Sequence, residues 1–244
     1  MVGYQGNTAN ASRNTMMAPT FLNVGSATGC TLADLTVTGY DAPEWNEDDE
    51  EFEGGCGLGE FVVNFLSNNG SATASYYWVD DGETGPAWCD KTGVAITASS
   101  VAIPAGTAMW IRGSGYTLQS AGQVNTSDVA FVMNSARQTA AGNCMPVNLT
   151  LAQLSVSGYD APEWNEDDEE YEGGCGLGEF VLNFLLNTGA AEATYYWVDD
   201  GETGPAWCNK SGTPIDATLV NVPAGKGAWI RGSGMTLNVP APEL

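Results

Sequence analysis

The chain contains no histidine, and only 7 of its 244 residues are Lys or Arg, against 30 Asp and Glu. Without histidine, the Ser-His and Cys-His systems of nucleophilic catalysis are excluded. The sequence also lacks a phosphate-cradling loop and a dinucleotide-binding fingerprint. The one chemistry that these residue types readily support is the carboxylate pair of a glycoside hydrolase, and two small domains leave little room for its deep cleft. We therefore expect that the protein is not an enzyme.

The shortage of positive charge also excludes two classes of partner. The formal net charge is −23, whereas nucleic-acid binding and attraction to anionic membranes both depend on Lys and Arg. No apolar run approaches the roughly 20 residues of a membrane span. We expect no nucleic-acid partner and no membrane insertion, and a surface that suits cations or salty, extracellular water.

What the sequence does contain is an internal repeat, with an offset of 119 residues between the two copies. This pattern predicts two homologous domains, residues 1–123 and 124–244, called repeat 1 and repeat 2 below. The segments that match best are "GYDAPEWNEDDEE" at Gly39–Glu51 and Gly158–Glu170, "YYWVDDGETGPAWC" at Tyr76–Cys89 and Tyr195–Cys208, and "WIRGSG" at Trp110–Gly115 and Trp229–Gly234.

The apolar segments are short, and Gly or Pro occurs between them about every 8 to 15 residues. Segments such as "EFVVNFLS", "ATASYYWVD" and "AMWIRGSG" are rich in Val, Ile, Thr and aromatic residues, which is typical of strands. The Asp-Gly pair in "DDGETG" favours a tight turn. We predict an all-β protein of two tandem homologous β-sandwich or jelly-roll-like domains, with one short helix at "TLADL" and "TLAQL".

Two of the three cysteines in each repeat occupy equivalent positions. Symmetry predicts the disulfides Cys56–Cys89 and Cys175–Cys208, each closing a loop of about 33 residues that would be worth roughly 3–4 kcal/mol. Cys30 and Cys144 are not equivalent, so they could bridge the two domains, bridge two subunits or stay free. Zinc binding is excluded because there is no histidine and no CxxC pair, and the alternative is that the thiols are free and buried.

Disulfides would place the protein in an oxidising compartment, so we expect an extracellular or cell-surface location. The first residues, "MVGYQGNTAN", have neither the basic nor the apolar region of a signal peptide. The corresponding expectation is a mature chain from which a signal was removed.

Each repeat has two acidic segments, which the predicted disulfide would make neighbours. Crowded carboxylates repel one another unless a cation offsets their charge, and Ca²⁺ accepts six to eight oxygen ligands in flexible geometry. The sequence therefore predicts calcium as a cofactor, with a solvated acidic loop or a patch for a basic partner as alternatives. The candidate ligands are Glu47, Asp48, Asp49, Glu50, Asp80, Asp81 and Glu83, repeated as Glu166, Asp167, Asp168, Glu169, Asp199, Asp200 and Glu202.

The tryptophans of the acidic segments are candidate binding residues. An exposed indole could stack on a sugar ring or anchor a partner protein, which makes an extracellular glycan a candidate partner; alternatively, each indole covers the core beneath its loop. Trp78 and Trp110 lie within apparent strands and are expected in the core. The four candidates are Trp45, Trp88, Trp164 and Trp207.

Four segments together, "VGYQ…NTMMAPTFLNVG", "LADLTVTGY", "SYYWVDDG…GPAW" and "IPAGTAMWIRGSG", carry a resemblance. The chain resembles uncharacterised secreted tandem-repeat, β-rich proteins of environmental and gut bacteria, over most of both copies. That resemblance implies a secreted protein without enzymatic activity.

We expect a secreted or cell-surface structural protein that assembles with itself into a homo-oligomer, filament or surface layer. Arg112 and Arg231 are each expected to pair with a carboxylate or to cover a tryptophan face. They also offer a contact for the acidic segment of a neighbouring molecule, and such head-to-tail contacts build open filaments. The alternative is a carbohydrate-binding tandem module that uses the tryptophans of the acidic segments.

Overall fold

The protein is all-β. The computed structural model describes residues 2–9, 14–22, 29–66, 71–113, 115–133, 138–186 and 190–242. These residues form 25 short strands and four single turns of 3-10 helix, and no α-helix occurs among them. Within the same ranges, no helix has the length and apolar character needed to cross a membrane.

Repeat 1 contributes thirteen strands, the last of which ends one residue beyond the predicted boundary. They are β1 (Val2–Thr8), β2 (Thr15–Met17), β3 (Phe21–Leu22), β4 (Gly29–Thr31), β5 (Leu35–Thr38), β6 (Glu44–Asn46), β7 (Glu51–Glu53), β8 (Cys56–Leu66), β9 (Ala72–Asp80), β10 (Ala87–Cys89), β11 (Ala102–Pro104), β12 (Met109–Arg112) and β13 (Thr117–Val124).

Repeat 2 contributes twelve strands in the corresponding order. They are β14 (Val129–Val132), β15 (Thr139–Gly142), β16 (Leu149–Thr150), β17 (Ser155–Ser157), β18 (Glu163–Asn165), β19 (Glu170–Glu172), β20 (Cys175–Leu185), β21 (Ala191–Asp199), β22 (Ala206–Cys208), β23 (Asn221–Val222), β24 (Gly227–Gly232) and β25 (Thr236–Val239). The 3-10 turns are η1 (Leu32–Asp34), η2 (Ala98–Ser100), η3 (Leu151–Gln153) and η4 (Ala217–Leu219), so the short helix expected at "TLADL" and "TLAQL" is one 3-10 turn.

Every sheet is antiparallel and joins strands of one repeat only. In repeat 1 the larger sheet has the order β10-β9-β8-β12-β2, and a second sheet is centred on β13, with β1 on one side and β3 and β5 on the other. Repeat 2 has the corresponding sheets β15-β24-β20-β21-β22 and β14-β25-β17, and the second of these lacks an equivalent of β3 among the described residues. In both repeats the first acidic segment forms a separate hairpin, β6–β7 and β18–β19.

Alternating side chains of the two sheets form one apolar core in each repeat. In repeat 1, Phe61 and Val63 of β8, Ile111 of β12 and Leu118 of β13 are fully buried in the same cluster. This period of two is what a strand with one buried face requires. Phe180, Leu182, Ile230 and Leu237 form the equivalent cluster of repeat 2.

A third apolar cluster lies between the repeats, and the backbone contacts around it occur in symmetric pairs. The Gln5 side chain also donates to the Ala224 carbonyl at 2.9 Å, and this bond has no symmetric equivalent because Val129 takes the place of Gln5 in repeat 2. Residue 17 pairs with residue 226, and residue 141 pairs with residue 107, both as antiparallel bridges. Met17 pairs with Met109 in β12, and Ala141 pairs with Ala228 in β24, so Met17 and Ala141 are equivalent residues. Thr107 and Lys226 are also equivalent, because they are 119 positions apart. The two bridges are therefore one contact repeated by a pseudo-two-fold axis.

The backbone hydrogen bonds obey the same symmetry. The Ala18 N–H donates to the Gly225 carbonyl at 3.0 Å, and the Gly142 N–H donates to the Gly106 carbonyl at 3.2 Å. A methyl group added to Gly142 would lie 2.9 Å from the Ala18 Cβ. Because Ala18 and Gly142 are equivalent residues that face each other, the pseudo-two-fold axis passes between them.

The predicted disulfides are wrong, because all six cysteines are free and buried thiols. In the sheet, Cys56 lies opposite Asp80 and Cys89 lies opposite Tyr77, on the two sides of β9. Two strand spacings across the sheet and three residues along it separate their Cα atoms by about 14 Å. A disulfide needs Cα atoms within about 7 Å. The same register separates Cys175 from Cys208.

Cys30 and Cys144 are free as well, so they do not bridge the two repeats of one chain. Burial raises the pKa of the Cys30 thiol to about 12 and that of Cys144 to about 11. A protonated, buried thiol is a poor nucleophile, so these side chains behave as small apolar residues.

We expect none of the six thiols to react with a thiol reagent such as DTNB in the native protein, and all six to react after unfolding without any reductant. The native thiols are shielded and protonated, whereas the unfolded chain exposes them. A reductant should leave the melting temperature unchanged. Fewer reactive thiols in unreduced denaturant than in reduced denaturant would show that disulfides exist and would contradict the fold described above.

Candidate functional site

The acidic hairpin, Glu44–Glu53 in repeat 1 and Glu163–Glu172 in repeat 2, carries an exposed tryptophan in each half. In β6–β7, Trp45 lies opposite Phe52, and the two rings meet edge to face at 5.2 Å between centroids. The Trp45 side chain stays 52% exposed. The hairpin of repeat 2 has the same exposure at Trp164, which packs on Tyr171 at 5.1 Å.

Asn46 holds the carboxylates of the hairpin together. Its amide nitrogen donates to Asp49 Oδ2 at 3.0 Å and to Glu53 Oε1 at 2.6 Å, and its amide oxygen accepts from the Asp48 N–H at 2.9 Å. An amide N–H therefore occupies the position that a cation would take between two carboxylates. Asn165 makes the equivalent bonds to Asp168 and Glu172.

The turn of the hairpin closes on a residue with positive φ. Glu50 has φ 55° and Glu169 has φ 53°, and they are the only non-glycine residues with positive φ in the part of the chain that the structure describes. This left-handed conformation costs roughly 1–2 kcal/mol for a residue with a side chain. Both repeats nevertheless keep glutamate there, so the turn retains its negative charge.

The second acidic segment packs against the base of the hairpin. A side chain on Gly82 would overlap the ring of Phe52 and the ring of Pro43, and Gly201 faces Tyr171 and Pro162 in the same way. The two acidic segments of each repeat are therefore neighbours, as the sequence predicts, but backbone packing brings them together rather than a disulfide.

Asp80 of the second segment is buried and already has a hydrogen-bond partner. The Trp78 indole donates to the Tyr40 hydroxyl at 3.0 Å, and Tyr40 donates to Asp80 Oδ2 at 3.0 Å. Burial, with the Asp80 carboxylate, raises the pKa of Tyr40 above its ordinary value. Trp197, Tyr159 and Asp199 repeat this arrangement.

Asp81 is used by its own turn. Its Oδ1 accepts from the N–H groups of Glu83 at 3.1 Å and Thr84 at 3.0 Å. The Thr84 backbone N–H is the main reason why the pKa of Asp81 lies below its ordinary value. Asp200 caps the equivalent turn through Glu202 and Thr203.

The predicted metal ligands do not converge on one point. Glu47, Asp48, Asp49 and Glu50 are exposed at the hairpin turn, as are Glu166, Asp167, Asp168 and Glu169 in repeat 2. Across the described ranges, no group of three or more Asp, Glu, Cys or His side chains lies close enough to hold a metal ion. Calcium therefore stays a prediction, without a preformed ligand set inside one repeat.

Of the four candidate binding tryptophans, two are available and two are not. Trp88 and Trp207 are each 3% exposed, and their indoles donate to the carbonyls of Leu35 and Leu154 inside the core. This burial leaves neither indole exposed to a ligand and agrees with the alternative that they cover the core. Trp45 and Trp164 remain candidates.

An open depression of about 450 Å³ lies beside the hairpin base of repeat 1. Tyr40, Asp41, Glu60 and Tyr116 line it together with several glycines. The Tyr116 hydroxyl donates to Glu60 Oε2 at 2.8 Å, and Met235 occupies the equivalent position in repeat 2. An aromatic ring beside carboxylate acceptors is suited to a hydroxylated or cationic ligand.

Sequence reasoning missed two groups of residues. The hydrogen bond between Tyr40 and Asp80 could not be predicted, because the two residues are 40 positions apart and no local pattern links them. The contact between the repeats could not be predicted, because Trp110 and Trp229 have the sequence pattern of ordinary core residues. Both instead pack on the third cluster, between the repeats. The glycine of "IPAG" and "VPAG" was a usable signal, since Gly106 and Gly225 each accept a bond from the other repeat.

The chain matches no known protein family, no curated protein sequence and no solved structure.

We expect Asn46→Asp to open the acidic hairpin, because it replaces the amide donor between Asp49 and Glu53 with a third carboxylate. A loss of about 1 kcal/mol should make the hairpin amides exchange hydrogen roughly fivefold faster, and added salt should reduce the effect. Asn209→Asp is the matched control: Asn209 uses only its oxygen, and aspartate occupies the equivalent position 90. Equal effects at both positions would contradict the bridging role of Asn46.

Proposed function

We propose that the protein is a secreted or cell-surface structural protein without enzymatic activity, built from two tandem β-sandwich domains and assembling with copies of itself. The observation that carries this proposal is the acidic hairpin. Both repeats keep an exposed Trp45 or Trp164 on a rigid cross-strand ring pair, surrounded by carboxylates. An exposed aromatic surface that occurs twice in one chain is typical of a contact surface.

The basic side chains supply a complementary surface. Lys226–Glu192 is the one ion pair among the described residues, so the exposed Arg112 and Arg231 have no carboxylate partner there. Arg231 donates only to the Gly178 carbonyl, at 3.3 Å. A guanidinium of one molecule can lie over the Trp45 indole of the next and pair with its carboxylates.

Such contacts are individually weak. An exposed cation–π contact is worth about 0.5–1 kcal/mol, so assembly needs both hairpins of a molecule to bind together. The net charge of −23 opposes association, and calcium would reduce this repulsion. Calcium is accordingly proposed as a promoter of assembly.

The free thiols bear on the proposed extracellular location. Free thiols remove the argument from disulfides, so an extracellular location is proposed from the acidic composition and from the resemblance to secreted repeat proteins. An acidic surface keeps a protein soluble in salty, extracellular water.

We expect the wild-type protein to form filaments or ordered oligomers in electron microscopy at high concentration, more readily with calcium than with EDTA. The double substitution Trp45→Ala and Trp164→Ala should abolish assembly, and so should Arg112→Gln with Arg231→Gln. Leu219→Ala removes an 80% exposed apolar side chain outside the hairpins and should have no effect. Monodisperse wild-type molecules under all these conditions would overturn the proposal.

Carbohydrate binding is the second candidate, and the depression lined by Tyr40, Asp41, Glu60 and Tyr116 favours it. If it is correct, a glycan array should show saturable binding that is lost in Trp45→Ala or Tyr116→Met. The second change introduces the residue of repeat 2, which makes it a conservative test of the depression. Binding that is unchanged in both variants, or absent from the wild type, would reject this candidate.

A further inference from the structure

The surface between the repeats is formed by equivalent residues of the two halves. Each half presents the same face to the other, which is the arrangement that a two-fold symmetric homodimer uses. We call it the repeat face: Met16–Ala18 with Gly106–Ala108 in repeat 1, and residues 140–142 with Gly225–Gly227 in repeat 2. Its bridges and backbone hydrogen bonds all occur twice.

The repeat face is apolar and tightly packed. Met16, Ala18, Ala108 and Leu185 are buried there, and the partly buried rings of Trp110 and Trp229 pack against them. A methyl group on Gly227 would overlap the Met16 side chain, and one on Gly106 would overlap the Phe131 ring. If the halves separated, this surface would be exposed to water and would have to be covered again.

We propose that the repeat face also joins separate molecules, with repeat 1 of one chain bound to repeat 2 of a second copy in place of its own. Every contact of the face is conserved in this exchange, because only the chain identity of the partner changes. The exchange goes beyond the proposed function, because it adds a second contact between subunits. It does not use the acidic hairpins.

The connection between the repeats decides which form is populated. β13 ends at Val124 and β14 begins at Val129, so only Asn125–Asp128 has to change conformation. Asn125 is buried and its amide nitrogen contacts Met145 Sδ at 3.8 Å, while Asp128 Oδ1 accepts from the Ala241 N–H at 2.7 Å. These contacts fix the connection against repeat 2. A short connection gives the internal contact an effective concentration in the millimolar range, which favours monomers in dilute solution.

Exchange has a defined geometric outcome. A chain whose repeat 1 has bound a second copy leaves its own repeat 2 free for a third. Each contact joins repeat 1 of one chain to repeat 2 of the next, so the chains are arranged head to tail. They form an open series, unless two chains exchange repeats with each other and form a closed dimer.

A cysteine pair across the repeat face tests the proposal. Residues 107 and 141 are antiparallel Cα partners, so Thr107→Cys with Ala141→Cys is in range of a disulfide. Oxidised at low concentration, the variant should form a cross-link within one chain. Oxidised after assembly at high concentration, it should give covalent dimers and larger species on a non-reducing gel. Thr107→Cys alone should give no such series.

Assembled material that contains only cross-links within single chains would overturn the exchange. That result, combined with loss of assembly in Trp45→Ala and Trp164→Ala, would leave the proposed function standing with the hairpins as the contact. If covalent dimers and larger species form, and if the hairpin variants still assemble, the exchange is supported and the hairpin contact is rejected.

Shortening the connection provides a second measurement. Deletion of Thr126 and Ser127 strains the internal contact, and strained hinges promote exchange. The concentration at which oligomers appear in sedimentation should fall at least 100-fold, from the millimolar range set by the intact connection. A folded deletion variant that stays monomeric at the wild-type concentrations would contradict the proposal. If the deletion prevents folding, the cysteine pair alone decides.

Discussion

The approach of Ala18 to Gly142 at the pseudo-two-fold axis is the constraint on which the arrangement of the two halves depends. Neither position has room for a larger side chain, and Gly106, Gly225 and Gly227 surround them for the same reason. Strands β12 and β24 belong both to the main sheets and to this contact, because Trp110 and Trp229 face the third cluster. The two halves therefore contact each other through equivalent residues on the two sides of the axis.

A chain with 30 carboxylates and few bases must stabilise its negative charge by other means. The protein uses neutral donors: the Asn46 amide in the hairpin, the Tyr40 hydroxyl at Asp80 and the backbone N–H groups at Asp81. Neutral donors leave the net charge unchanged, so the hairpin keeps a strong negative potential around an exposed indole. That combination is suited to a basic or cationic partner, and it is the reason why the proposed association is expected to depend on calcium and salt.

Features that depend on local sequence were predictable. The repeat, the all-β class and the turn at "DDGETG" all follow from periodicity and from turn residues. The cysteine pairing was not predictable, because it depends on the register of three strands, and Cys56 and Cys89 lie on opposite sides of β9. The exposure predicted for Trp88 was inaccurate for a similar reason. Its sequence neighbours belong to an acidic loop, but its indole donates to the carbonyl of Leu35, which is 53 positions away.

The two repeats meet across a pseudo-two-fold axis within one molecule, and a nuclear Overhauser measurement on the dilute monomer tests this contact through the Ala18 methyl protons and the Gly142 Hα protons. We expect a strong cross-peak between these protons, together with slow hydrogen exchange at the Ala18 and Gly142 amides. Absence of the cross-peak, with both amides exchanging at the rate of an unfolded chain, would show that the repeats do not meet in this way.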